Sequence, residues 1–176
     1  MPSSTTIAIR DFRPGDESAL RDLFHASVQN LTASHYSQEQ RDAWAPADHD
    51  VKAWGERIRH NRPFIAESDG VIAGFADLQP DGYIDHFFVS SECARRGVAA
   101  ALMVHIHEAA NARGIPQLYS NVSLTAEGFF QKCGFRVAER QLVDVRGQRL
   151  ANARMEKSLA AAPRQPDPSP AAIPAP

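Results

Sequence analysis

A chain of 176 residues, 43% hydrophobic and 23% charged, can bury one core and, at ~100–200 residues per domain, is expected to hold one domain. Its formal charge of −2 sets up no global positive field, which argues against nucleic acid or an anionic membrane as the main partner. No apolar run approaches the ~18–20 residues of a membrane span, Cys93 and Cys133 fit neither a metal site nor a disulfide framework, and MPSSTTIAIR lacks a leader pattern, so the expected compartment is cytoplasmic.

In chain order, TTIAIRDF (Thr5 to Phe12) reads as a short strand with Ile7 and Ile9 on one face, broken by Pro14 and Gly15. Leu20, Leu23, Phe24, Val28 and Leu31 then fall at helical spacing. Ser37 with Gln40 three residues on forms a capping box, so a second helix starts there and runs to about Trp44, ahead of Pro46. Another short helix from Asp50 places Val51, Trp54 and Ile58 on one side and stops at Asn61 to Pro63. PFIAESDGVIAGFADL reads as a hairpin about Asp69-Gly70, and a turn at Gln79 to Gly82 leads into YIDHFFV (Tyr83 to Val89) to complete a three-stranded meander.

The longest helical pattern follows, with Val98, Ala101, Leu102, His105, Ile106 and Ala109 on one stripe, ended by Gly114 and Pro116. QLYSNV is a fifth strand, TAEGFFQKC a short helix capped by Gly134, and two strands flank VRGQ. This order predicts an α/β fold: a mixed, mostly antiparallel twisted sheet of about seven strands with four or so helices on both faces, over residues 1–159. Residues 160–176 hold six of the twelve prolines and almost nothing large and apolar, and are expected to be a disordered Pro/Ala-rich tail.

The stretch VSSECARRGVAAALM places two arginines and four small residues where a helix begins. Unpaired N–H groups and the positive dipole end favour an anion there, Gly97, Ala99 and Ala100 leave it room, and Arg95 and Arg96 add charge.

The element order, RRGVA at the start of the central helix and FFQKCGF after the fifth strand resemble the GCN5-related N-acetyltransferase (GNAT) superfamily over about residues 5 to 158. More narrowly, ASHYSQEQRDAWAP, YIDHFFV and LTAEGFFQKCGF resemble its YafP-like bacterial branch. Gly97 and Ala99 match the family's phosphate motif, whereas Ala94 replaces its usual polar residue. The resemblance implies acetyl-CoA as co-substrate, its pyrophosphate on Arg95, Arg96, Gly97, Val98, Ala99 and Ala100. Its pantetheine arm would run along the fourth strand at Phe87, Phe88 and Val89, with Asn121 facing it from the fifth strand and Phe130 in the helix beyond. Many family members carry a tyrosine where this chain has Phe130, and a phenyl ring donates no proton.

The implied reaction is direct attack of a primary amine on the thioester in a ternary complex, helped by positioning, a main-chain N–H for the oxyanion and a proton acceptor. Asp85 and His86 are the candidate acceptors. Strand alternation places them on opposite faces, and Asp85, sharing a face with Phe87 and Val89, is preferred unless a bulge shifts the register. Tyr36 or Tyr119, or water, would protonate the leaving thiolate. Cys133, at a helix C-terminus, reads as a small buried hydrophobe.

No metal is implied: the histidines have no ligand spacing, and His105 on the apolar stripe reads as a core residue. The expected partner is a small-molecule amine, with the chain a monomer or homodimer. Two other readings stay open: an acyl-CoA-binding regulatory module without transfer activity, motivated by Ala94 and Phe130, and an acetyltransferase for protein N-termini or lysines.

Overall fold

The computed structural model describes residues 6–159; the expected Pro/Ala-rich tail, 160–176, lies outside them. The chain runs β1 (Ile7–Asp11), α1 (Glu17–Leu31), α2 (Gln38–Trp44), α3 (Val51–Asn61), β2 (Phe64–Ser68), β3 (Val71–Ala76) and β4 (Phe87–Val89). A 3₁₀ turn (Ser91–Cys93) leads to α4 (Val98–Ala112), β5 (Gln117–Ser123), α5 (Glu127–Lys132), β6 (Arg136–Val145) and β7 (Gln148–Ser158). Strands β1-β2-β3-β4 form one antiparallel sheet and β5-β7-β6 a second. They join at a parallel bridge between Tyr83 and Tyr119, which makes the whole mixed in sense.

Local chemistry explains most boundaries. Ser37 and Gln40 complete the capping box of α2, and the Asp50 side chain accepts from Ala53 N at the start of α3. Past α5, Gly134 N–H donates to Gln131 O and Phe135 N–H to Phe130 O, a Schellman closure. Its apolar contact is the Phe130–Phe135 ring pair, 5.0 Å between centres.

Two apolar clusters sandwich the first sheet. Val98, Leu102 and Ile106 of α4 pack with Phe64, Ala66 and Ala73 on one face. Leu20 and Leu23 of α1 and Ile58 of α3 pack with Ile65 and Phe75 on the other. Each such side chain contributes about 1.5–3 kcal/mol of burial. Val51, expected beside Trp54 and Ile58, is 71% exposed, because at the first helical position it lies a turn beyond the packed stretch.

YIDHFFV is not one continuous strand. Only Phe87–Val89 pair with β3, because the Asp77 carboxylate takes both the Asp85 and the His86 N–H on one oxygen, at 2.8 and 3.3 Å. This local irregularity rotates the segment before β4, and it decides the geometry of the site.

Candidate active site

On the β4 side of the gap, Asp77 N–H donates to His86 O and Ser90 N–H to Ala73 O, with Phe88 opposite Phe75. Residues 86, 88 and 90 therefore turn their main chain toward β3. By alternation, Phe87 and Val89 turn theirs toward β5. The two strands touch only lower down, where Ile84 N–H donates to Tyr119 O at 2.9 Å and Tyr119 N–H to Gly82 O at 3.0 Å. Above that seam they diverge, and the open edge of β4 offers unpaired donors and acceptors to an extended, amide-bearing ligand.

A groove of about 390 Å³ lies along this edge, lined by Phe87, Phe88, Val89, Ala94, Arg95, Gly97, Val98, Ala99 and Ala100, with Phe129 across it. Arg95 and Gly97 hold φ of +65° and +87°, which wraps the turn before α4 and points the first N–H groups of the helix at the groove's end. Small side chains there leave main chain exposed to a ligand.

Three expected groove residues sit elsewhere. Arg96 is exposed and does not line the groove, since the turn directs only Arg95 toward it. Phe130 is 2% exposed in the core, drawn there by its Schellman contact with Phe135, and Phe129 takes the lining position. Asn121 belongs to a smaller cavity of about 200 Å³ with Tyr36, Tyr83 and Asp85.

Behind β4 is a second cavity, about 380 Å³, formed where α1, the α2–α3 connection, α3 and the β6–β7 turn converge on Asp85, His86 and Phe88. Alternation would send Asp85 and His86 to opposite faces, but the Asp77-centred irregularity brings both to this one. His86 Nδ1 lies 2.7 Å from Asp77 Oδ2 and 3.4 Å from Asp85 Oδ2. Asn61 Nδ2 donates to Asp77 Oδ2 at 3.0 Å and to Asp85 Oδ2 at 2.8 Å. Arg57 grips Asp85 with two bonds of 3.0 and 2.6 Å. Burial acts to raise the Asp85 carboxyl, and Arg57, His86 and Asn61 together more than offset it, holding the group below the usual carboxylate range. Asp85 is thus a paired anion, poorly suited to take a proton.

Asp77, Asp85 and His86 bring potential metal-ligand atoms within 4.8 Å of one another. Those atoms already face Arg57, Asn61 and two main-chain N–H groups, so the cluster works as a hydrogen-bonded unit.

Tyr36 is 4% exposed, and its hydroxyl donates to Ala151 O at 2.6 Å and accepts from Leu124 N–H at 2.9 Å. Burial pushes its phenol up from the ordinary value. The group straps the α1–α2 connection to β5 and β7, and its proton is committed to Ala151. Tyr119 donates to the Asp81 carboxylate, which leaves it tied to the loop before Tyr83. Burial also raises the Cys133 thiol, in keeping with an inert side chain.

Sequence reasoning missed Asp77, Asn61, Arg57, Arg21 and Arg146. Only Asp77 left a signal: a carboxylate directly after the apolar run VIAGFA is out of place unless something pairs with it.

The groove lies on a splayed strand pair and is closed by a glycine-led helix start. The acetyltransferase (GNAT) domain model matches residues 32–160. The uncharacterized N-acetyltransferase YafP of Escherichia coli K12 is 33% identical over 146 residues, 83% of this chain and 92% of that protein. A GCN5-related N-acetyltransferase from Rhodopseudomonas palustris superposes with a TM-score of 0.83 at 37% identity, covering 88% of this chain and 96% of its own. The PaiA N-acetyltransferase from Thermoplasma acidophilum, solved with coenzyme A, shares the fold at a TM-score of 0.68 and 19% identity over 88% and 99% of the two chains. This chain belongs to the GNAT acetyltransferase family. Within it, the similarity is to the YafP-like branch, and the chain is an acyltransferase.

Proposed function

We propose that this enzyme moves the acetyl group of acetyl-CoA to the primary amine of a small molecule, by direct attack in a ternary complex. The observation that carries the reading is a junction: Trp44 and Phe88 line both the β4 groove and the cavity behind it. A thioester laid along β4 would end at that junction, with the acceptor approaching from the opposite side.

The pyrophosphate would rest on the N–H groups at the start of α4 beside Arg95, and the pantetheine amides would pair with the main chain of Phe87 and Val89. The neutral amine attacks the carbonyl carbon, a C–N bond forms, and the C–S bond breaks as the tetrahedral intermediate collapses. A free N–H on the β4 edge would meet the oxyanion, and the amine's proton passes to His86, whose Nδ1 is oriented by Asp77. The coenzyme A thiolate takes a proton from solvent; a thiol pKa near ~8.5 makes it an adequate leaving group without a tyrosine donor. The modest volume of the cavity, about 380 Å³, and its lining by Phe24, Trp44, Trp54 and Phe88 support a small acceptor over a protein terminus. A cytoplasmic setting fits both substrates.

The test is thermal stability with and without acetyl-CoA, followed by detection of released thiol across an amine panel. At ~100 times its dissociation constant the cofactor is expected to add ~2.7 kcal/mol. No shift would remove the cofactor assignment, and a shift with no thiol release on any amine would favour an acyl-CoA-binding module.

A further inference from the structure

The cavity behind β4 holds a positive charge that the transfer chemistry does not use. Arg21, on α1, is 5% exposed and lines that cavity. Its guanidinium donates to Pro46 O and sits 5.2 and 5.7 Å from the ring centres of Phe24 and Trp54. Among the described residues, no carboxylate lies within ion-pair distance of it. Burial, and then the nearby charge of Arg146, work against its protonated form, with Asp22 only partly compensating.

Arg146 reaches the same cavity from the β6–β7 turn and donates to Ala43 O at 2.7 Å. It too has no carboxylate partner among the described residues. The other charged groups on the cavity wall do not redress the balance. Asp85 is spent on Arg57, and Asp50 keeps its charge but turns it to the start of α3 through Ala53 N–H, so three arginines face two aspartates and the wall stays net positive. Arg146 is exposed and Arg21 is buried, so the cost of an unneutralised guanidinium falls on Arg21, and the second positive charge nearby adds to it. That cost disappears when an anion bridges them, and the fork geometry of two guanidiniums suits the planar or tetrahedral oxygens of such a group.

We propose that the accepted amine also carries an anionic group, a carboxylate or phosphonate, seated between Arg21 and Arg146. The acceptor class is then an amino acid or its phosphonate analogue. Its nitrogen lies at the Asp85–His86 end, next to the junction with the cofactor groove. The rings of Phe24, Trp44 and Trp54 line the same cavity and favour an apolar side chain between the two ends. This deepens the acetyltransferase reading and rests on it for the role of the amine; anion binding itself does not depend on turnover.

The experiment is calorimetry on the full chain saturated with coenzyme A, titrated with α- and ω-amino acids, each alongside the amine lacking its carboxylate and the matching aminophosphonate. Thiol release from acetyl-CoA is measured on the same pairs. In at least one pair the anionic member is expected to bind ~10-fold or more tightly than the plain amine, the scale of a charge-assisted hydrogen bond. Arg21→Gln and Arg146→Asn are each expected to narrow that ratio by a similar factor. Arg146→Asn suits the left-handed turn conformation there, φ +44°, and keeps the test alive if Arg21→Gln fails to fold.

Plain amines binding as tightly as their anionic partners in every pair, or a ratio unchanged in Arg146→Asn, would overturn the proposal. Anion-dependent binding without thiol release would retain it and remove the transferase reading. Thiol release that ignores the anion would do the reverse. The carboxylate and phosphonate arms identify which anion the site takes.

Discussion

Asp77 accepts from four donors: the N–H groups of Asp85 and His86, the Asn61 amide and the His86 ring. Completely buried, it replaces a length of β ladder with a carboxylate, and in doing so swings Asp85 and His86 onto one wall. An amide there would present N–H groups to donors. Asp77→Asn is therefore expected to cost about 2–4 kcal/mol in denaturant unfolding and to lower kcat while leaving acetyl-CoA affinity nearly unchanged. Equal losses in kcat and cofactor affinity would show that the carboxylate shapes the groove as well. Tyr36 belongs to the same scale with a different role. Tyr36→Phe leaves Ala151 O and Leu124 N–H without a partner, so about 1–3 kcal/mol of stability is expected to go. If Tyr36 is only a strap, kcat at saturating substrates stays within a few-fold of the parent; a loss of 100-fold or more would return it to the chemistry.

Among the elements, the pairing of β4 with β5 matters most, because it must close at one end and open at the other. Gly82 allows the closed end. It holds φ +90°, and a Cβ there would lie 1.9 Å from Gln117 O, the main chain of β5 itself. Gly82→Ala must push the seam apart, and a loss of more than about 2 kcal/mol is expected, together with weaker acetyl-CoA binding, since the width of the gap above depends on the seam. A stable variant with unchanged cofactor affinity would show that the splay is set elsewhere. At the open end, Gly97 at φ +87° lets the turn before α4 expose its N–H groups. The run of small residues at this helix start was legible from the local sequence alone. The capping box of α2 was legible for the same reason: both partners lie within four residues. The seam at Gly82 was not, because the residue it approaches is more than thirty positions away.

For the whole molecule, several carboxylates are held below the ordinary range by arginine partners. Arg10 does this for Asp16, and Arg140 does it for Glu127. At Asp85, burial opposes, and Arg57 with His86 and Asn61 outweighs it. The sign follows from linkage. As pH falls past ~4, the unfolded chain takes up protons that the folded carboxylates resist, so stability present above that range drains away below it. Chemical denaturation is expected to give a plateau from neutral pH to about 5 and a steep decline beneath it. Arg57→Gln should flatten the decline, while an unchanged acid limb would show that the Arg57–Asp85 pair contributes nothing to it. Arg57 is half exposed, so solvent screening keeps the effect small.

The amino-acid sequence by itself determined what depends on neighbours: the alternation and periodicity that define strands and helices, the caps, the hairpin at Asp69-Gly70, and the small-residue start of α4. Those features, taken in order, were enough to reach the fold class and the family. The tertiary structure alone decided which side chains meet. Phe130 left the groove because its apolar partner, Phe135, lies in the core. Asp85 became a paired anion when Arg57, a helix away, came to bind it. Arg21 and Arg146, 125 positions apart in a chain of 176, came to line one cavity only when the β6–β7 turn docked against α2. Local pattern fixes φ and ψ, which are short-range. Charge pairing and cavity shape arise between segments that only the packed core brings together.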